Sequence, residues 1–96
     1  MIIQSVRHKG LRRFLERGDR SGLPQAFVEK INRLLTALEV AGQLEQLETM
    51  PGWRLHALAG SEVGRWSLVV SRNWRLTFRV DAGGQDIFDL DLEDYH

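Results

Sequence analysis

The sequence ends in Asp94-Tyr95-His96, three side chains that can transfer protons or form strong hydrogen bonds. Imidazole titrates near physiological pH, so His96 can serve as a general acid or a general base. A residue at a chain terminus is usually frayed and packs little unless something holds it in place. An acid–base group at this position therefore predicts a chemical role for His96 rather than a role in the core.

A second set of polar side chains follows the two-residue period of β-strands. If the tryptophans and aliphatic residues of the C-terminal half face a core, alternation sends Arg54, His56, Arg75, Thr77 and Arg79 to the opposite face. Guanidinium groups bind phosphate in a bidentate manner, so this face fits an anionic ligand, phosphate in preference to carboxylate. We expect the C-terminal triplet to point toward it.

Two simpler interpretations of the same residues stay open. Exposed strand faces carry charge for solubility, and Arg54 and Arg79 would then only pair with acids of the last strand. A lone histidine such as His56 is often a hydrogen-bonded structural residue. The three tryptophans could stack on bases, but their alternation with the polar set predicts core packing.

Several chemistries have no support in the sequence. There is no cysteine, which excludes disulfides, thiolate catalysis and cysteine-ligated metals. No glycine-rich phosphate loop precedes a helix, and Gly-x-Ser-x-Gly is absent. The acids show neither the spacing of a calcium loop nor a paired-histidine helix, so we predict no metal and no cofactor. The disfavoured metal site would use His56, Asp91, Glu93, Asp94 and His96.

Length and charge limit the organisation of the chain. The 96 residues are enough for one hydrophobic core, so we predict a single domain over 1–96. No apolar stretch resembles a signal peptide or could span a bilayer, which predicts a cytoplasmic protein without membrane association. The net charge is zero, yet the last sixteen residues hold six acids and no Lys or Arg. The first twenty residues are rich in basic side chains, namely Arg7, Lys9, Arg12, Arg13, Arg17 and Arg20. Such a cluster suits nucleic acid, an acidic partner or a solvated helix face equally well.

The hydrophobic periods predict the order β-α-α-β-β-β-β. A short strand over 2–6 precedes a basic helix ending near Gly18, and a second helix runs from Pro24 to Gly42, with one more helical turn near Leu44. Strands then start at Trp53, Trp66 and Trp74, and the last strand carries Phe88, Leu90 and Leu92 on one side. We predict an α+β domain with two N-terminal helices packed on one face of a mostly antiparallel sheet of four to five strands.

Five short strings, in order along nearly the whole chain, resemble the HigB branch of the RelE-like toxins. They are Arg7-His8-Lys9-Gly10-Leu11, Trp53-Arg54-Leu55-His56-x-Leu58-x-Gly60, Gly64-x-Trp66-Ser67, Asn73-Trp74-Arg75-x-Thr77-Phe78 and Glu93-Asp94-Tyr95-His96. The resemblance implies the toxin of a type II toxin–antitoxin pair, which cuts messenger RNA on the ribosome without metal and inhibits translation. It also implies a HigA-like helix-turn-helix antitoxin that neutralises the toxin, in a hetero-oligomer that binds operator DNA through the antitoxin.

The same resemblance implies roles for individual residues. His96 would be the principal acid–base residue, His56 a second one or a phosphate contact, and Asp94 and Tyr95 would orient the histidine or the substrate base. Arg75 would stabilise the phosphate. Further RNA contacts on the cationic face would come from Arg54, Arg72, Thr77 and Arg79.

One position departs from the pattern of similar toxins. They commonly read Leu-His-Pro-Leu-Lys-Gly, whereas this chain has Ala59 at the lysine position. Losing a cation beside the scissile phosphate removes electrostatic stabilisation of the transition state. An alternative is therefore a weak or inactive module with the toxin fold, which binds RNA, the ribosome or an antitoxin without cleavage.

Overall fold

The computed structural model describes residues 1–58, 60 and 64–94 as an α+β fold. Five strands form one sheet in the order β1-β5-β4-β3-β2. β1 pairs in parallel with β5, and the other neighbours are antiparallel. The strands are β1 (Ile2–Ile3), β2 (His56–Ala57), β3 (Arg65–Val69), β4 (Trp74–Val80) and β5 (Asp86–Asp94). The helices are α1 (Lys9–Arg17) and α2 (Val28–Val40), with 3₁₀ turns at Gln25–Phe27 and Leu44–Thr49. The predicted fold class and element order are confirmed.

Helix α1 begins and ends at residues suited to those positions. The Nδ1 atom of His8 accepts a hydrogen bond from the backbone N–H of Leu11 at 3.2 Å, which caps the first turn. Gly18 ends the helix in the left-handed conformation with φ +71°, as the sequence predicted. Leu11 is fully buried, while the lysine and all three arginines of the helix are exposed. A Cβ added to Gly10 would lie 2.2 Å from the carbonyl oxygen of Gly22, so only glycine permits this contact.

Helix α2 supplies the main apolar stripe of the core. Its buried residues are Val28, Ile31, Leu34, Leu35 and Leu38. Pro24 precedes a 3₁₀ turn rather than lying in the first α-helical turn, and the helix ends at Val40, slightly before the predicted Gly42. The Met1 ammonium group donates to the carbonyls of Leu38 and Glu39, both at 3.1 Å, and to that of Ala41. A cation at a helix C-terminus is favourable, so this contact fixes β1 against α2.

The packing of β5 differs from the prediction at Phe88. A β-bulge shifts the pairing register between Thr77 and Arg79, and Asp89 adopts a left-handed φ of +54°. The extra residue turns Ile87 into the core, where it is fully buried, and leaves Phe88 36% exposed. Placing Phe88 on the same side as Leu90 was therefore wrong, because strict alternation does not hold through a bulge. In the described part of the chain, no helix has the length and apolar character that crossing a membrane requires.

Candidate active site on the open sheet face

A row of polar residues crosses four strands on the sheet face away from the core. His56 on β2 pairs with Ser67 on β3, Ser67 pairs with Thr77 on β4, and Thr77 pairs with Asp91 on β5. Directly paired residues project to the same side of a sheet, so the four side chains form one line. The predicted alternation of His56 and Thr77 to the face opposite the core is confirmed, and His56 is exposed at the end of the line.

Arg54 does not belong to this alternation. The prediction extended the strand back to Trp53, but β2 begins only at His56. Arg54 has a left-handed backbone with φ +49°, which breaks the pleat before the strand starts. Its side chain is exposed, and strand geometry does not assign it to the polar row. The predicted place of Arg54 on this face therefore stays a prediction.

Arg65 is the residue of this face that sequence reasoning missed. The predicted turn extended to Gly64 and the strand began at Trp66, so Arg65 was left between them. In the structure it starts β3, is only 6% exposed, and donates from Nη2 to the Thr77 hydroxyl at 2.7 Å. The same nitrogen lies 3.4 Å from Oε2 of Glu93. Counting back by two from Ser67 would have placed Arg65 on this face.

Thr77, a predicted RNA contact, is fully buried and accepts a hydrogen bond from Arg65. Its hydroxyl is an acceptor for a cation of the protein, and its predicted contact with RNA stays a prediction. Arg79 lies directly opposite Arg65 and forms an exposed ion pair with Asp89, Nε to Oδ2, at 3.6 Å. The pairing of Arg79 with an acid of the last strand is thus observed, and its predicted contact with RNA stays a prediction.

Arg75 and Arg72 lie at the turn that joins β3 to β4. The Nη1 atom of Arg75 donates to the carbonyls of Ser71 at 2.6 Å, Arg72 at 3.2 Å and Trp74 at 3.2 Å. Arg75 also pairs across the sheet with Glu93, which keeps it on the open face, while Arg72 is exposed in the turn itself. The structure thus brings Arg75 to the predicted face and uses one of its nitrogens to close the turn.

Residues 4–96 match the family described as the RelE-like toxin of the type II toxin-antitoxin system HigB. The chain belongs to this family. A curated relative, Endoribonuclease HigB of Proteus vulgaris, is 40% identical over 95 residues, covering 99% of this toxin and 100% of the relative. The resemblance seen in the sequence strings is confirmed.

Two solved toxin structures share the fold of this HigB-like toxin. YafQ from E. coli strain BL21(DE3) superimposes with a TM-score of 0.61 at 16% identity, covering 96% of this chain and 90% of YafQ. A heterotetrameric YoeB-YefM toxin-antitoxin complex from Staphylococcus aureus contains a chain that superimposes with a TM-score of 0.60 at 20% identity. That match covers 100% of this chain and 97% of the other. At these identities the likeness shows the fold alone.

The C-terminal triplet of the toxin is described only in part. Asp94 ends β5, is exposed, and pairs with Trp74 of β4. Because Glu93 shares the open face with Arg75, alternation directs Asp94 to the other side, contrary to the expectation that it points toward His56. Tyr95, His96 and Ala59 lie outside the described residues, so their predicted roles stay predictions. Within the described ranges, no cluster of three or more His, Cys, Asp or Glu side chains could hold a metal ion.

His8 of the toxin lies near Asp91, at the β5 end of the polar row, and its titration affects folding. Burial lowers the pKa of the His8 imidazole, the Asp91 carboxylate raises it, and Arg13 lowers it. The fold therefore favours the neutral ring, whose Nδ1 lone pair caps α1. A lowered folded pKa gives stability that is complete above the unfolded pKa and is lost as the pH falls through the folded value.

We expect the free energy of unfolding of the wild-type toxin to fall more steeply between about pH 7 and pH 5 than that of His8→Asn. Asparagine is also a good N-cap but does not titrate, so it is the matched control. Urea unfolding followed by circular dichroism at several pH values measures both slopes. Equal slopes would show that His8 does not carry the pH dependence.

Proposed function

We propose that this toxin is an endoribonuclease that cleaves messenger RNA on the ribosome. The observation that carries the proposal is the full-length identity of 40% to a relative named Endoribonuclease HigB. The open sheet face supports it, because its exposed or half-exposed side chains include His56, Arg75 and Arg79. Such groups match a phosphodiester substrate, since guanidinium ions bind phosphate and imidazole transfers protons near neutral pH.

The proposed reaction needs no metal. The 2′-hydroxyl of the RNA attacks the adjacent phosphorus, the bond to the 5′-oxygen breaks, and a 2′,3′-cyclic phosphate and a 5′-hydroxyl form. A base must take the proton of the 2′-hydroxyl and an acid must protonate the leaving oxygen. We assign the principal acid–base role to His96, and a second such role or a phosphate contact to His56. Asp94 and Tyr95 would orient the histidine or the base.

Cations would stabilise the negative charge that builds up on the phosphorane. Arg75 is assigned to the phosphate, and the surrounding RNA is assigned to Arg54, Arg72, Arg79 and Thr77. Arg79 contacts Asp89, and Thr77 contacts Arg65. To bind RNA, each of the two would have to contact the substrate in addition to its present partner or in place of it. Arg72 and Arg54 are exposed and can reach RNA without such an exchange.

A translation reaction with purified toxin tests the proposal directly. Toeprinting of a translating message should show new 5′ ends inside the reading frame when toxin is added. The same message without ribosomes is the control for ribosome dependence. A message that stays intact in both conditions, with toxin shown to be folded by circular dichroism, would contradict an endoribonuclease.

The family is that of a type II toxin-antitoxin system, so the toxin has an antitoxin partner. We propose a HigA-like helix-turn-helix antitoxin that acts in the cytoplasm and binds operator DNA as part of a hetero-oligomer with the toxin. An adjacent short gene encoding a helix-turn-helix protein is expected. Co-expression of the two should restore growth and yield a complex that shifts operator DNA in a gel, whereas free toxin should not.

The lysine missing at position 59 favours a second candidate, a toxin-fold module with weak or no cleavage activity. If Ala59 weakens catalysis, Ala59→Lys should raise the cleavage rate by about 10- to 100-fold. The upper value equals the smallest usual effect of a single electrostatic donor, about 100-fold. Ala59→Gln is the matched control, since it adds length without charge. The rate constant is measured on a translating message with toxin in excess. An unchanged rate would show that the toxin replaces the missing cation in another way.

A further inference from the structure

One cation on the open sheet face of this toxin is buried. Arg65 is 6% exposed, although it points away from the helices, and its guanidinium group keeps its charge at any physiological pH. Taking such a group out of water is costly, and an apolar side chain of similar size often stabilises a fold equally well or better. The fold alone therefore does not account for an arginine at this position.

The cross-strand partner of Arg65 increases that cost. Arg65 pairs directly with Arg79, and like charges in directly opposite positions destabilise an antiparallel pair. Each guanidinium group is balanced by a different acid of β5: Arg65 by Glu93 at 3.4 Å and Arg79 by Asp89 at 3.6 Å. The Arg79–Asp89 pair is exposed and therefore weak, whereas the Arg65–Glu93 pair is partly buried and is screened less by solvent.

The contacts of Arg65 join three strands at one guanidinium nitrogen. The side chain starts on β3, donates to the Thr77 hydroxyl of β4 at 2.7 Å, and reaches Glu93 of β5. Glu93 is paired by register with Arg75, which itself donates to three carbonyls of the β3–β4 turn. Glu93 immediately precedes Asp94-Tyr95-His96 in the chain. The buried cation therefore holds the residue next to the proposed acid–base segment.

We propose that Arg65 is a positioning residue for RNA cleavage, acting through Glu93 on the end of β5 that leads into Asp94-Tyr95-His96. The proposal rests on the proposed endoribonuclease function and adds a residue to its machinery. Arg65 does not touch the substrate, because it is buried. It holds Glu93 in place near the end of β5, and small displacements of a catalytic group lower rates strongly.

Arg65→Met and Glu93→Gln test this role, because a positioning residue should affect kcat and leave KM almost unchanged. Each is expected to lower kcat for cleavage of a translating message by about 100-fold, while KM for the message stays within about twofold. Arg65→Lys should recover part of kcat, because it restores the charge with shorter reach. The double variant Arg65→Met/Glu93→Gln should lose no more than the worse single variant, since both break one contact.

Matched controls are present elsewhere in the chain. Arg33→Met removes an exposed arginine of α2, and Glu29→Gln breaks the exposed pair of Glu29 with Arg20, whose separation is also 3.4 Å. Both should cleave at the wild-type rate. Thermal unfolding of every variant shows which ones are folded at the assay temperature. If Arg65→Met unfolds, the near-isosteric Glu93→Gln and the charge-preserving Arg65→Lys still decide the question.

The outcomes separate this proposal from the function on which it rests. If wild-type toxin and both controls leave the message intact, the endoribonuclease function is overturned, and the role of Arg65 with it. If wild type cleaves while folded Arg65→Met and Glu93→Gln keep the wild-type kcat, only the positioning role is overturned. Multiplied losses in the double variant, or a rise in KM in place of a fall in kcat, would also overturn it.

Discussion

Replacing His96 with alanine is expected to lower the rate of messenger-RNA cleavage by about 10²- to 10⁴-fold, the usual contribution of a positioned acid–base group. Growth inhibition on induction should disappear with it. The reason is chemical, since the 2′-hydroxyl is a poor nucleophile unless its proton is removed as it attacks. Single-turnover cleavage of a translating message measures the effect, and a plating assay gives the result in cells.

His56→Ala is the informative companion to His96→Ala. His56 is exposed at the end of the polar row and is expected to act as a second acid–base group or as a phosphate contact, so its loss should be smaller. Full activity of folded His96→Ala would reject His96 as the principal acid–base residue. A larger loss in His56→Ala than in His96→Ala would transfer that assignment to the middle of the chain.

Replacing Phe78 with alanine is expected to reduce the free energy of unfolding by about 3–5 kcal/mol. Phe78 is fully buried on β4, between two residues of the open face, and pairs with Trp66 on β3. Its loss leaves a cavity that the sheet cannot close without moving Thr77 and Arg79. Because small domains are stable by only about 5–15 kcal/mol, this variant should lose much of its folded population at growth temperature.

Phe88→Ala removes the same ring from a neighbouring strand and is the matched control. Phe88 is 36% exposed as a result of the β5 bulge, so its loss should cost less, about 1–2 kcal/mol. Urea unfolding of both variants measures the difference. Similar losses in the two would mean that the bulge is absent in solution and that strict alternation holds along β5.

The helices and strands whose apolar residues recur at a regular spacing were predictable from the sequence, because that spacing identifies the side of the element that is buried. The stripe of α2 ending at Leu38 and the alternation of β4 between Leu76 and Phe78 both match the structure. The order of helices and strands followed from these patterns together with the turn residues. A sheet covered on one side by the two amphipathic helices is the layered arrangement that this order of elements favours.

The deviations come from local geometry that a period does not encode. The bulge at Asp89 adds a residue to one strand only, which exchanges Ile87 for Phe88 in the core. Arg54 leaves the strand through a left-handed backbone that its residue type does not favour. Arg65 was missed because the predicted strand began at Trp66, and the contacts of Arg65 are with Thr77 and Glu93, which are distant in sequence.

The parallel pairing of β1 with β5 also affects the order in which the sheet of the toxin forms. Ile2 and Ile3 pair with Asp86 and Ile87, which are far from them in the sequence. A contact between such distant segments forms late, because the chain between them must be closed first. The nascent chain therefore cannot complete its sheet until β5 has emerged from the ribosome. β1 is therefore incorporated into the sheet as one of the last steps of folding.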